Sequence, residues 1–270
     1  MFFGFFKYKY RKKRFFSFFD LTDGKDDDIL KLLHVSDTDF LEDEMQKLSV
    51  KRVLMDVDGT MTDSPAGSCM GKSPLRHLVE LVMEQHGLSA EAAERKILNC
   101  GDLDTQCLSE FLPMLEVDPV RYFEAVKKDL ARHITIPGDA VCFLKAMREH
   151  GIPVCAATTN SRFMTLAKLA VGGLADISGS PYIAAYHAGC EFRDPAGKFS
   201  EHYFPNILKH HGYDPETTVM IGDEPEHDLY PALKAGIRRC VIIDRKQTAD
   251  MLQKDGGIFV NDLGVVNAII

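Results

Sequence analysis

"KRVLMDVDGTMTDS", residues 51–64, runs from a short apolar segment into three aspartates set around a Gly-Thr pair. Val53, Leu54 and Met55 form an unbroken run that suits a strand buried on both faces of a parallel sheet. Asp56 and Asp58 then fall at its C-terminal end. On an extended chain residues two apart point the same way, and Gly59 lets the backbone turn aside just beyond them. Two carboxylates about 4 Å apart repel by roughly 4 kcal/mol at an effective dielectric near 20, so the pair costs stability unless something positive lies between them. Oxygen-only ligands at the carboxyl edge of an α/β sheet suit Mg²⁺. Taken alone, the stretch also reads as an Asp-rich turn closing a strand.

Working outward, residues 65–135 are helical in pattern and poor in strands. "SPLRHLVELVMEQHGLS" places Leu75, Leu78, Val79 and Val82 on one face and stops at Gly87, and "DPVRYFEAVKKDLARH" begins with Asp118 as cap and Pro119 at the first helical position. "DTQCLSEFLPML" is read as a further helix of the same series. After Pro137 strands and helices alternate, from "IPVCAATTN" through "TTVMIGD" to "DGGIFV". Such alternation predicts an α/β fold, a doubly wound, Rossmann-like parallel sheet with helices on both faces. The core then comprises residues 49–64 and 136–270, with 65–135 inserted as a small helical domain.

At 270 residues and 45% hydrophobic, the chain can bury a sizeable core. Its formal net charge of -8 argues against nucleic-acid binding by the whole surface. Seven cysteines without a CxxC pair, several inside apolar runs, read as reduced packing residues, which favours a cytoplasmic protein. Residues 1–48 differ from the rest. Residues 1–19 interleave Phe and Tyr with six basic residues, and an acidic stretch follows. This suits a disordered or loosely packed extension, contact of residues 1–19 with an anionic membrane surface or nucleic acid, or a start further on at Met45.

Ligands in such a sheet bind at the carboxyl ends of its strands, and that is where the chemistry-bearing residues fall. The first strand ends in Asp56 and Asp58, the second in Thr158, Thr159 and Asn160, and a later one in Gly222 and Asp223, with Asp228 five residues on. Carboxylates, hydroxyls and a Gly turn converging on one edge make a metal and phosphate site. "DVDGTMTD", "TTNS" and "GDEPEHD" together resemble the first, second and fourth motifs of the haloacid dehalogenase-like hydrolase superfamily over roughly residues 51–270. The helical insertion is similar in place and size to that family's C1 type of cap. The third motif departs from the pattern. Lys198 in "GKFSEHYF" lacks the usual following Pro but stands 25 residues before Asp223, close to the family's gap.

The resemblance implies a Mg²⁺-dependent phosphatase acting on a small phosphorylated metabolite that the cap can enclose. Asp56 is the expected nucleophile, forming an aspartyl-phosphate, and Asp58 the general acid and base. Thr159, Asn160 and Lys198 are expected to hold the phosphoryl group. Asp56, the Asp58 main-chain carbonyl and Asp223 are expected to hold Mg²⁺, with Asp228 supporting the metal or orienting Lys198. Asp58 separates the chain from dehalogenases, which lack an acid there. A sugar phosphomutase of the same superfamily is the alternative, with Lys72 and Arg76 in "GSCMGKSPLRH" as its nearest substrate-loop candidates. A non-catalytic scaffold tethered by its basic N-terminus is the third. Histidines 202, 210, 211 and 227 show no paired ligand spacing and read as surface or half-buried imidazoles, although His227 lies inside the fourth motif.

Overall fold

The computed structural model describes residues 50–64 and 69–267. The expectations for residues 1–48 therefore lie outside the described residues.

The run Val53–Met55 forms β1 (Arg52–Met55), and all three side chains are fully buried. β1 lies between β2 (Val154–Thr158) and β4 (Thr218–Gly222), parallel to both. β3 (Ile183–Ala188), β5 (Arg239–Ile243), β6 (Met251–Lys254) and β7 (Gly257–Val260) complete a seven-stranded sheet of order β3-β2-β1-β4-β5-β7-β6. The core is the expected α/β, Rossmann-like arrangement, and only β6 runs antiparallel to its neighbour. Met55 pairs with Ala156 on one side and Ile221 on the other, and Asp56 N–H bonds the Ile221 carbonyl at 2.8 Å. The register thus delivers the ends of β1, β2 and β4 to one edge.

Alternation along β1 divides the core between two layers. Val53 and Met55 pack with Phe143 and Leu144 of α4 (Gly138–Glu149) and with Leu263 and Val266 of α8 (Leu263–Asn267). Leu54 faces the opposite side, with Phe204 and Ile207 of α6 (Tyr203–His211) and Ala232 of α7 (Tyr230–Lys234).

Between β1 and α4 the chain forms α1 (Pro74–His86), α2 (Ala90–Leu98) and α3 (Pro119–Leu130). Ser73 caps α1 by accepting Arg76 N–H, Pro74 opens it, and Gly87 closes it at φ 63. Asp118 and Pro119 start α3 in the same manner. These helices bury Leu78, Val82 and Ile97 in a cluster of their own, which also takes Phe111 from the chain between α2 and α3 and Leu166 and Ala167 from α5 (Arg162–Val171) of the core. The expected helix at "DTQCLSEFLPML" reduces to a 3-10 turn over Leu108–Phe111. Pro113 has no N–H to donate, which limits any extension of that turn.

Two features differ from the sequence expectation. β6 and β7 form a hairpin whose turn residues Asp255 and Gly256 have φ 54 and 82, the backbone that an Asp-Gly pair provides. Cys107, in the insertion, is disulfide-bonded to Cys190, in the loop after β3, while the other five cysteines are free. Partners 83 residues apart in sequence have no spacing signature, so the reading of all seven as reduced is corrected here. Among the described residues, no helix is long and apolar enough to cross a membrane.

Candidate active site

Asp56, the first residue beyond β1, is 7% exposed and its Oδ1 lies 2.6 Å from Lys198 Nζ. The same ammonium lies 2.6 Å from Asp228 Oδ1. Lys198 comes from a short turn, Gly197–Phe199, in the chain between β3 and α6, and is itself buried. Asp228 sits in a wide turn, Pro225–Leu229, after β4, and its Oδ2 accepts the N–H groups of Asp223 and Glu224, each at 3.1 Å. Asp228 therefore orients both the lysine and the strand-end backbone. Gly222 makes this possible, because a Cβ there would stand 2.1 Å from Asp228 Oδ2.

Carboxylate oxygens of Asp56, Asp223 and Asp228 lie within 4.8 Å of one another. Three carboxylates against the single ammonium of Lys198 leave two formal negative charges. Burial pushes the Asp56 carboxyl up to about 7, with Asp228 and Asp223 adding to the rise and Lys198 opposing it. Asp223 is pushed up to about 6 by burial, then by Asp228 and Glu224. For Lys198, burial lowers the affinity for its proton, but the negative charges of Asp56 and Asp228 outweigh it and the net shift is upward. A cluster of oxygen donors carrying an excess charge of two fits a divalent, oxygen-preferring cation such as Mg²⁺.

Asp58 faces elsewhere. Lys168 Nζ, from α5, lies 2.6 and 2.8 Å from its two carboxylate oxygens, and Asn160 Nδ2 donates to Oδ2 at 2.7 Å. Asn160 Oδ1 accepts from the same lysine at 2.8 Å, so the amide and the ammonium together clamp the carboxylate. Lys168 is only 2% exposed and was not among the residues picked out in the sequence. Thr158 is buried and accepts from Asn160 through Oγ1, which leaves Thr159 to line the site.

Gly59, at φ 73, passes so close to Asp223 that a Cβ would stand 2.0 Å from its Oδ2. Arg245, just past β5, donates to the carbonyls of Gly59 and Thr60 at 2.8 and 2.9 Å and pairs with Asp139 at the start of α4. Asp63 accepts Thr135 N–H at 2.8 Å and its hydroxyl at 2.7 Å, tying together the two strands of chain that lead into and out of the insertion. Lys72 and Arg76 both pair with Glu80 on the exposed side of α1, as solvated charge at a helix start.

A small cavity of about 40 Å³ holds Asp56, Asp58, Asp223 and Asp228. Thr159, Lys198 and Phe199 line both this cavity and a larger one of about 320 Å³ whose walls come from the insertion and the core. Cys107 and Cys190 stand in the wall of the larger cavity. Beside them Arg193 reaches back to Thr105 O at 2.8 Å and Glu110 Oε2 at 2.9 Å. His227 lines the small cavity and its ring meets Phe199 edge-on, with centroids 4.6 Å apart.

The sequence profile of the haloacid dehalogenase-like hydrolases matches residues 50–236. No curated protein matches. Among solved structures, a HAD phosphatase from Thermococcus onnurineus is 20% identical, with 81% of this chain and 97% of that one covered and a TM-score of 0.48. CbbY from Rhodobacter sphaeroides, in complex with phosphate, is 16% identical over 82% and 100% of the two chains, with a TM-score of 0.48. A 2-haloacid dehalogenase from Pseudomonas syringae pv. Tomato DC3000 is 18% identical over 82% and 97%, again with a TM-score of 0.48.

Proposed function

The chain belongs to the haloacid dehalogenase-like hydrolase family, and we propose from that premise that it is a Mg²⁺-dependent phosphatase of a small phosphomonoester. The observation that carries this reading is the contact of one buried ammonium, Lys198, with both Asp56 and Asp228 at 2.6 Å beside Asp223. A carboxylate held in this way can attack phosphorus, and the same lysine then lies where charge develops on the transferring oxygens. Asp56 would form the aspartyl-phosphate while Thr159 and Lys198 hold the phosphoryl oxygens. Asp58 would give a proton to the leaving oxygen and later take one from the attacking water. Lys168 and Asn160 keep its carboxylate from wandering between those two tasks. Asp56, Asp223 and Asp228, with the Asp58 main-chain carbonyl, would hold Mg²⁺, whose role is to neutralise carboxylate and phosphate so that they can approach. The insertion would act as a cap that limits the substrate to what its cavity admits.

The sugar phosphomutase reading needs a second place for a phosphate. The cavity of about 320 Å³ has no lysine or arginine in its wall besides Lys198, so that cavity offers a second phosphate no cation of its own. A scaffold has no need to keep Asp56, Asp58, Asp223 and Asp228 together around one small cavity. The test is phosphate release from a panel of small phosphomonoesters with and without Mg²⁺, beside Asp56→Asn. Metal-dependent release that this substitution abolishes is the expected result, and equal release by the variant overturns the reading.

A further inference from the structure

The larger cavity bears on the substrate. Its volume of about 320 Å³ is roughly twice that of an engineered cavity which takes one benzene. Leu103 and Leu108 of the insertion and Phe163, Met164 and Phe199 of the core are among the residues that line it. Phe163 is held in place by its neighbours, stacked on Tyr122 at 4.8 Å and set edge-on to Phe123 at 5.5 Å. Tyr122 spends its hydroxyl on Pro74 O. Phe199 follows Lys198 directly and, although His227 meets its ring edge-on, it stays 61% exposed, so most of a large ring is open beside the phosphoryl position. An aromatic face of this kind, left uncovered next to a charged site, gains by taking a flat apolar group.

Charge narrows the choice further. Lys198 already serves the phosphoryl group and the nucleophile. The other charged residues of the wall are Asp104 and Asp194, which repel a second anionic group. Polar atoms in the wall are partly committed elsewhere: Gln106 Oε1 accepts Asp102 N–H and Ser161 Oγ accepts Met164 N–H. Hydroxyls of a polyhydroxylated body turned toward the Leu103, Leu108, Phe163 and Met164 part of the wall would find no partner there.

Resting on the phosphatase reading above, we infer that the substrate is a phosphomonoester of an alcohol with an apolar or aromatic body and no second negative group. Phe199 is then a specificity residue that covers the ring next to the scissile bond. The reaction needs no further co-reactant: water replaces the alcohol on phosphorus, and the alcohol leaves with the proton from Asp58.

The experiment compares kcat/KM in Mg²⁺ for benzyl phosphate, 2-phenylethyl phosphate, glycerol 3-phosphate, glucose 6-phosphate and fructose 1,6-bisphosphate. All release alcohols of a similar kind, so leaving-group chemistry does not decide the order. The two aromatic esters are expected to exceed the polyhydroxylated ones by about tenfold or more, in line with burial of one ring. Phe199→Ser, an exposed position, is expected to pull the benzyl-to-glycerol ratio toward one. Metal-dependent turnover that favours glucose 6-phosphate or the bisphosphate, or a ratio unmoved by Phe199→Ser, overturns the inference and leaves the phosphatase standing. Turnover of none of the five removes both.

Discussion

Lys168 Nζ lies 2.6 Å from Asp58 Oδ1, a contact between side chains 110 residues apart that is nearly sealed from solvent. An ion pair this deep is costly to break from one side, because the remaining charge is left buried. Lys168→Met is therefore expected to lower both the melting temperature and kcat, the latter by about a hundredfold, the usual weight of a general acid and base. The double variant Lys168→Met with Asp58→Asn should recover most of the lost stability and none of the activity. Strict additivity of the two stability effects would show that the pair is not coupled.

Asp223 gives a pH dependence of definite sign. Its folded value of about 6 lies above the ordinary 3.8, so in the metal-free protein its stabilising contribution is fully present below about pH 4 and is lost as pH rises through 6. Asp223→Asn removes that loss. Without metal, the variant should gain on the wild type between pH 4 and 7 by about 1 kcal/mol after allowance for solvent screening, and the two should converge near pH 4. Mg²⁺ should reverse the order at pH 7.5 by stabilising the wild type alone. Melting curves at five pH values, with EDTA and with Mg²⁺, check this, and a difference that is flat with pH counts against it.

What was legible in the sequence follows a pattern. The strand-end residues were readable because each sits where an apolar run stops, and a parallel sheet gathers such ends on one edge. Lys198 was readable from its distance to Asp223. Lys168 was not singled out, although its signal is there: in "TLAKLAV" a lysine lies between Leu166 and Leu169 on a helix face that is otherwise apolar, and a charge in that place needs a buried partner. The β6–β7 hairpin also had its sign in Asp255-Gly256. Arg245 had none beyond lying after a strand, since its bonds to the Gly59 and Thr60 carbonyls depend on how the loop folds back.

Gly59 should not tolerate a side chain. Its φ of 73 costs an alanine about 1–2 kcal/mol, and the added Cβ would force Asp223 to move. Gly59→Ala is expected to raise the Mg²⁺ concentration for half-maximal activity about tenfold or more, with a smaller loss in melting temperature. A metal titration of activity checks it. An unchanged Mg²⁺ requirement would mean that the placement of Asp223 does not govern metal binding.

The Cys107–Cys190 bridge joins the insertion to the loop that leads from β3 to Lys198. It stands in the wall of the larger cavity, and outside that wall Arg193 and Glu110 make a second, reversible link across the same junction. Oxidised protein, denatured without reductant, should therefore show five reactive thiols, and seven after reduction. Because the bridge closes a long loop, replacing both cysteines by serine should lower stability relative to the oxidised protein by about 2–4 kcal/mol. The fold itself should survive, since the insertion and the core each keep their own apolar clusters. The activity readout is KM rather than kcat. Loosening this junction changes how the cavity wall meets the substrate, while Asp56, Lys198 and Asp228 keep their mutual contacts. A kcat that falls with KM unchanged would instead place the effect of the bridge on the Lys198 loop.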